Sequence, residues 1–174
     1  MLFRSYLWRI RNALPGPGKI GIFDRSHYED VLVVRVDSLV PEDVWSKRYD
    51  EINEFEADLV ADGYRLIKCM LNVSFDEQRG RLAERLEDPS KYWKYNPGDV
   101  DARLKWPAYM EAYEAALEKC NTQAAPWYVI PSDRKWYRNW AVAELLRETL
   151  SGMGLAWPPA DFDVATEQKR VEDS

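Results

Sequence analysis

Apolar positions along this chain recur at two spacings, and the alternation between them lays out the elements. Phe3, Leu7, Ile10 and Leu14 stand three or four residues apart, which predicts a helix over residues 1–14. Pro15-Gly16-Pro17-Gly18 cannot continue it. Ile20, Ile22 and Phe23 then make a short buried strand over residues 19–23 that stops at Asp24-Arg25-Ser26. Ser26 followed by Glu29 is a capping-box pattern and predicts a helix from His27. Behind Pro41-Glu42-Asp43, Trp45, Tyr49, Ile52, Phe55 and Leu59 repeat on one helical face until Gly63. Residues 66–73 form a second apolar strand, interrupted only by Lys68 and Asn72. Ser74 with Glu77 caps a helix carrying Phe75, Leu82 and Leu86 that stops before Pro89. A long stripe of Leu104, Tyr109, Tyr113, Leu117 and Cys120 follows, with Pro107 kinking that helix or marking its true start. A third strand, residues 127–130, leads through Pro131-Ser132-Asp133 into a last helix with Trp136, Trp140, Ala143, Leu146 and Leu150 inward. Residues 151–174 read as a polar, frayed tail.

Strands separated by helices predict an α/β fold, a parallel sheet covered by helices, in one domain over residues 1–150. A formal charge of −6 argues against general affinity for nucleic acid, which needs a basic face. The charge is uneven, however. Residues 41–63 are acidic, whereas Arg79, Arg81, Arg85, Lys91, Lys94, Arg103 and Lys105 concentrate positive charge further on. Local basicity in an acidic chain suits a bound polyanion, and it equally suits solvated helix faces. Cys69 and Cys120 share no metal-ligand spacing with the single His27, so both read as small core residues of a reducing, cytoplasmic compartment. The longest apolar run, residues 31–34, is too short to span a bilayer. The basic, acid-free stretch over residues 1–14 also suits a transit peptide or a membrane-surface helix, but its stripe reads as core, and no membrane partner is expected.

The chemistry concentrates at Asp24-Arg25-Ser26. A strand ending there delivers a carboxylate and a guanidinium to the carboxyl edge of a sheet, where open α/β folds bind ligands. A helix beginning there adds backbone amides. Together they suit a magnesium-bound phosphate: an oxygen ligand for a hard cation and forked donors for phosphoryl oxygens. The same residues also suit a plain helix cap with an Asp24–Arg25 surface ion pair. Spacing alone does not choose between these.

Residues 20–36, IGIFDRSHYEDVLVVRV, resemble the Walker B segment of the polyphosphate kinase 2 family, P-loop phosphotransferases that move phosphate between inorganic polyphosphate and nucleotides. The resemblance runs from about Leu7 to Leu150, through Glu77-Gln78 with Arg81 and Arg85, Asp88-Pro89 with Lys91, Trp93 and Lys94, and APWYVIPSDRKWYRNWAVAELL over residues 125–146. It implies that Asp24 holds Mg2+ or orients the attacking phosphate and that Arg25 touches phosphate oxygens. Arg81, Arg85, Lys91 and Lys94 fall in a lid that closes over the phosphates, with Trp93 as its anchor or a stacking platform for a base. Tyr28 and His27 match the family pattern and read as structural, while Asp37 and Asn72 stand where close relatives carry histidine.

One departure from the family is large. Nowhere does the sequence hold a Gly-rich loop with lysine joining a strand to a helix; Gly16, Gly18 and Lys19 precede a strand instead. In the family the strand bearing that loop is central, between the strand ending at Phe23 and the one beginning near Leu66. Those two strands are therefore expected to flank a gap in an incomplete sheet. Two readings follow: a phosphotransferase acting on polyphosphate and a nucleoside mono- or diphosphate, inactive until an upstream P-loop fragment joins it, or a non-catalytic interaction subunit retaining polyanion binding. In either case exposed edges predict a homo-oligomer.

Overall fold

A computed structural model describes residues 6–174; residues 1–5, and with them Phe3 and the start of the first stripe, lie outside the described residues. The fold is a mixed α/β arrangement of mostly helices around two parallel strands. Helix α1 (Leu7–Ala13) ends at the Pro-Gly turn, followed by a 3-10 turn (His27–Asp30) and the short helices α2 (Val33–Val36) and α3 (Glu42–Trp45). Helix α4 (Arg48–Ala61) ends before Gly63, whose φ of +93° only glycine adopts readily. Strand β1 (Lys68–Asn72) runs into α5 (Phe75–Glu87), a second 3-10 turn (Pro89–Lys94), α6 (Gly98–Leu104) and α7 (Trp106–Lys119). Strand β2 (Trp127–Pro131), α8 (Lys135–Gly152) and α9 (Val164–Glu172) complete the chain. Pro107 sits in the first turn of α7, so it starts that helix and does not kink it.

β1 and β2 pair in parallel, Lys68 opposite Trp127 through Asn72 opposite Pro131. Ser132 N–H donates to Asn72 O at 2.8 Å and carries the ladder one residue further. Tyr49 and Ile52 of α4 pack with Tyr28, Val31 and Leu32 and with Ala112, Ala116 and Cys120 along α7. The buried face of α7 therefore differs from the expected stripe: Ala112 and Ala116 lie in the core, Tyr109, Tyr113 and Leu117 are only half-buried, and Leu104 is exposed at the end of α6. Phe55 and Leu59, one turn on, cover Leu7 of α1, flanked by Ile10, Leu14, Tyr64 and Leu66. Each such large side chain contributes about 1.5–3 kcal/mol by leaving water. The α4 stripe read from the sequence is thus the hub of the core, and the N-terminal stripe is core as well.

Three further expectations fail. Residues 19–23 form no strand: Ile20, Ile22 and Phe23 are exposed, Ile22 at 92%. A strand needs a ladder partner, and no described strand lies beside this segment. It instead doubles back on the Pro-Gly turn, where a Cβ on Gly21 would come within 2.9 Å of Pro15 Cδ. The turn is tied down by Tyr64, whose hydroxyl donates to Pro15 O at 3.1 Å. The inward face of α8 is also shifted: Tyr137, Ala141 and Leu145 are half-buried, while Trp136 is 70% exposed. One residue of rotation, about 100°, separates the predicted stripe from the observed one. Finally, the C-terminal stretch carries helix α9, its first turn capped by Asp163, which accepts from Thr166 N–H at 2.7 Å.

Candidate functional site

The Asp24-Arg25-Ser26 segment is a tight turn with a left-handed residue at its centre. Arg25 has φ +71°, a conformation that costs a non-glycine residue about 1–2 kcal/mol and persists only where its surroundings impose it. Ser26 caps the following 3-10 turn by accepting from Tyr28 N–H at 3.4 Å, so the cap exists but the reciprocal box with Glu29 does not. A four-residue 3-10 turn builds little dipole, and the helical amides expected here are therefore weak. Asp24 is exposed and has no side-chain partner among the described residues. It does not pair with Arg25, so the surface ion pair is not formed. Glu29 is half-buried; burial pushes its carboxyl up, and Arg25 works against that.

Directly behind the turn lies a buried polar cluster. Glu56 of α4, fully buried, accepts from His27 Nε2 at 3.1 Å, from the Tyr28 hydroxyl at 2.9 Å and from Lys68 Nζ at 2.7 Å. The Lys68 ammonium also donates to Tyr28 Oη and to Cys120 O, both at 2.8 Å, and faces the Trp127 ring at 5.0 Å. Burial lowers the Lys68 pKa while the Glu56 hydrogen bond raises it, and burial drives the Tyr28 phenol far up, with Glu56 adding to it. His27 and Tyr28 are structural, as read from the sequence. Their partners were not: Lys68 looked like an interruption of a strand, and Glu56 like one more acid of an acidic helix. The signal was there, since Glu56 falls with Ile52, Phe55 and Leu59 on the i, i+3, i+4, i+7 face that must be buried.

In front of the turn is a cleft of about 820 Å³. It is lined by Cys69, Met70, Leu71 and Asn72 of β1 with Val73, by Trp127 of β2, and by Arg25, Ser26, Tyr28, Glu29, Leu32 and Val33. Trp106, Tyr109, Met110 and Tyr113 of α7 lie along it as well, as do Gln78, Arg81, Leu82 and Arg85 of α5. The strand edge not paired with β2 therefore borders an open space of ligand size. Arg25, Arg81 and Arg85 come together there from two segments far apart in sequence; Asp24, Lys91, Trp93 and Lys94 are not among its lining residues.

The four cations of the expected lid divide. Arg81 is committed to the scaffold: its guanidinium donates to Glu77 Oε1 at 2.9 Å, Ser132 O at 2.6 Å and Asp133 O at 3.2 Å. Asp133 in turn accepts from Ser74 N–H at 2.7 Å, so the loops leaving β1 and β2 are clasped together. Ser74 caps α5 as expected, its Oγ accepting from Glu77 N–H at 3.2 Å. Arg85 joins α5 to the turn and to α6, donating to Lys94 O and to Asp99 Oδ2, both at 3.1 Å. Lys91 bridges Glu84 at 2.6 Å and Asp88 at 3.2 Å, which holds its pKa up. Lys94 has no carboxylate partner among the described residues and stands 4.9 Å over the Trp93 ring. Trp93 is 80% exposed and packs into no core, so it does not anchor the segment here.

Residues 2–155 match the family model described as Polyphosphate kinase 2. The chain belongs to the polyphosphate kinase 2 family. It is 53% identical over 171 residues to an AMP/ADP-polyphosphate phosphotransferase of Meiothermus ruber, a match that covers 98% of this chain and 63% of that protein. An ADP-polyphosphate phosphotransferase of Rhodopseudomonas palustris is 38% identical, over 90% of this chain and 58% of the relative. The crystal structure of polyphosphate kinase 2 from Arthrobacter aurescens superposes with a TM-score of 0.95 at 48% identity, covering 99% of this chain and 61% of that one. The chain thus spans less than two thirds of the length of these relatives. Among the described residues no group of three or more His, Cys, Asp and Glu could hold a metal, and no helix is long and apolar enough to cross a membrane.

Proposed function

We propose that this chain carries part of the site of a polyphosphate:nucleotide phosphotransferase, moving phosphate between inorganic polyphosphate and a nucleoside mono- or diphosphate in the cleft beside β1. The observation that carries this reading is the convergence of Arg25, Arg81 and Arg85 on that cleft, in a chain 53% identical to an AMP/ADP-polyphosphate phosphotransferase. Arg25, in its left-handed turn, contacts phosphate oxygens. Arg85, Lys91 and Lys94 act as a lid that folds over the polyanion, and Arg81 holds the base of that lid to the ends of both strands.

A magnesium ion fits as a substrate-borne cofactor and not as the occupant of a protein cage. Asp24, in the turn beside the cleft but not among its lining residues, has no partner among the described residues, and Mg2+ is commonly held by one or two carboxylates together with substrate phosphates. When bound, it neutralises charge on the transferring phosphoryl group. The chain's own residues bind and orient the phosphates.

The cleft also runs along a bare strand edge, and the sequence contains no Gly-rich loop with lysine. A strand followed by such a loop, placed in the cleft against β1, pairs the open edge and supplies the missing phosphate cradle. On this reading the chain alone turns over little or nothing. The second reading, a non-catalytic polyanion-binding subunit, draws on the way Arg85 and Lys91 are already paired within the chain. Titration of the chain with long-chain polyphosphate tests what both share: binding lost in Arg25→Ala is expected, and binding unaffected by that change places the polyanion elsewhere.

A further inference from the structure

The buried cluster behind the Arg25 turn has no part in the chemistry just described, yet it holds two ionised groups where burial is expensive. Its connections run in one direction. His27 and Tyr28, the second and third residues after Arg25, are fixed by Glu56 of α4, and Glu56 is fixed by Lys68 at the start of β1. Lys68 is itself held by a carbonyl at the end of α7. Arg25 needs such a hold, because its left-handed φ of +71° relaxes readily unless the chain on one side cannot move.

Building on the proposed function, we infer that Glu56 and Lys68 are positioning residues. Through Tyr28 and His27 they lock the Arg25 turn in the conformation that presents the guanidinium to a phosphate in the cleft. Three otherwise separate elements, α4, β1 and α7, thereby set the geometry of one exposed side chain. A cluster that only stabilised the core would have no reason to close on the two residues that follow the strained turn.

The test uses the full chain and two variants. Glu56→Gln leaves the Lys68 ammonium without its charge partner; Tyr28→Phe deletes a single hydroxyl and keeps the ion pair. Three quantities are read: the melting temperature, the rate of tryptic cleavage after Arg25 relative to cleavage after Arg147 on α8, and the affinity for long-chain polyphosphate. The expected result for Tyr28→Phe, with melting near that of the parent, is faster cleavage after Arg25 and an affinity lower by about tenfold. Glu56→Gln should do the same more strongly if it folds, and Tyr28→Phe decides the matter if it does not. Parental cleavage at Arg25 in a folded Tyr28→Phe variant overturns the inference, as does faster cleavage with unchanged affinity. If the parent chain itself fails to bind polyphosphate, the functional reading falls while the cleavage rates still decide whether the cluster fixes the turn.

Discussion

Arg85 reaches across fourteen residues to Asp99, 3.1 Å away, and with the same nitrogen bonds Lys94 O, so one guanidinium ties α5, the 3-10 turn and α6 together. The pair is partly exposed, and such pairs contribute only about 0–1 kcal/mol. On the proposed function, a polyanion would displace Asp99, and likewise Glu84 from Lys91, at little cost. Arg85 and Lys91 are thus neutralised within the chain, while Lys94 is not.

Binding of long-chain polyphosphate should accordingly weaken steeply with salt, because counterions are released from the polymer. Replacing Arg85, Lys91 and Lys94 together by alanine should remove most of the affinity, whereas Asp99→Asn, which removes a competitor for Arg85, should raise it. Arg81→Ala should act on stability instead, losing about 1–3 kcal/mol with its hydrogen bonds to Ser132 and Asp133. Calorimetric titration beside urea unfolding separates the two. Equal losses of affinity from Arg81→Ala and Arg85→Ala would contradict this division of labour.

Alkaline stability offers a check on the core. Burial pushes the Cys120 thiol up to about 11 from an ordinary value of 9.0, so in that interval the unfolded chain gives up a proton that the folded chain keeps. Stability must then fall as pH rises from 9 to 11, by roughly 2–3 kcal/mol from this group. The raised Tyr28 phenol adds a fall that begins near its ordinary value of 10.0. Lys68, with its pKa lowered, works in the opposite direction as pH approaches 10.5. Cys120→Ala isolates the thiol: urea midpoints below pH 9 and at higher pH should show a smaller fall than in the parent, and an identical profile would contradict the assignment.

Much of this was legible in the sequence. The stripe on α4, the Ser74 cap and both paired strands follow from period and capping chemistry, which are local, whereas the stripe expected on α7 missed the buried Ala112 and Ala116. What was not legible depends on partners distant in sequence. Residues 19–23 have the composition of a strand, but β structure exists only where a ladder can form. The Glu56–Lys68 pair was only partly legible: the helical face places Glu56 inward, but nothing local names Lys68 as the partner that makes its burial tolerable. Arg81 looked like any other lid cation until its carbonyl partners at the end of β2 were in view.

Exposed apolar residues and the open side of β1 make a prediction about association. Ile20 and Ile22 before the turn and Leu71 on β1 remain in contact with solvent, and among the described residues no strand pairs the second side of β1. Folded domains hold only about 5–15 kcal/mol of stability, and open apolar edges invite pairing with another chain. Size-exclusion chromatography should show concentration-dependent self-association that Ile22→Lys with Leu71→Lys suppresses. A monodisperse monomer with a sharp, high thermal transition would show that the edge is no liability.

The central claim, that the cleft beside β1 is a phosphotransfer site awaiting a strand with a Gly-rich loop, is tested most directly by complementation. The part of the Meiothermus ruber relative outside the match is mixed with this chain, polyphosphate, Mg2+ and AMP or ADP, and nucleotide phosphorylation is followed. Transfer is expected only when both polypeptides are present, with a raised melting temperature for the mixture and loss of transfer in Arg25→Ala. No transfer and no stabilisation on mixing, or full turnover by the chain alone that survives Arg25→Ala, would contradict it.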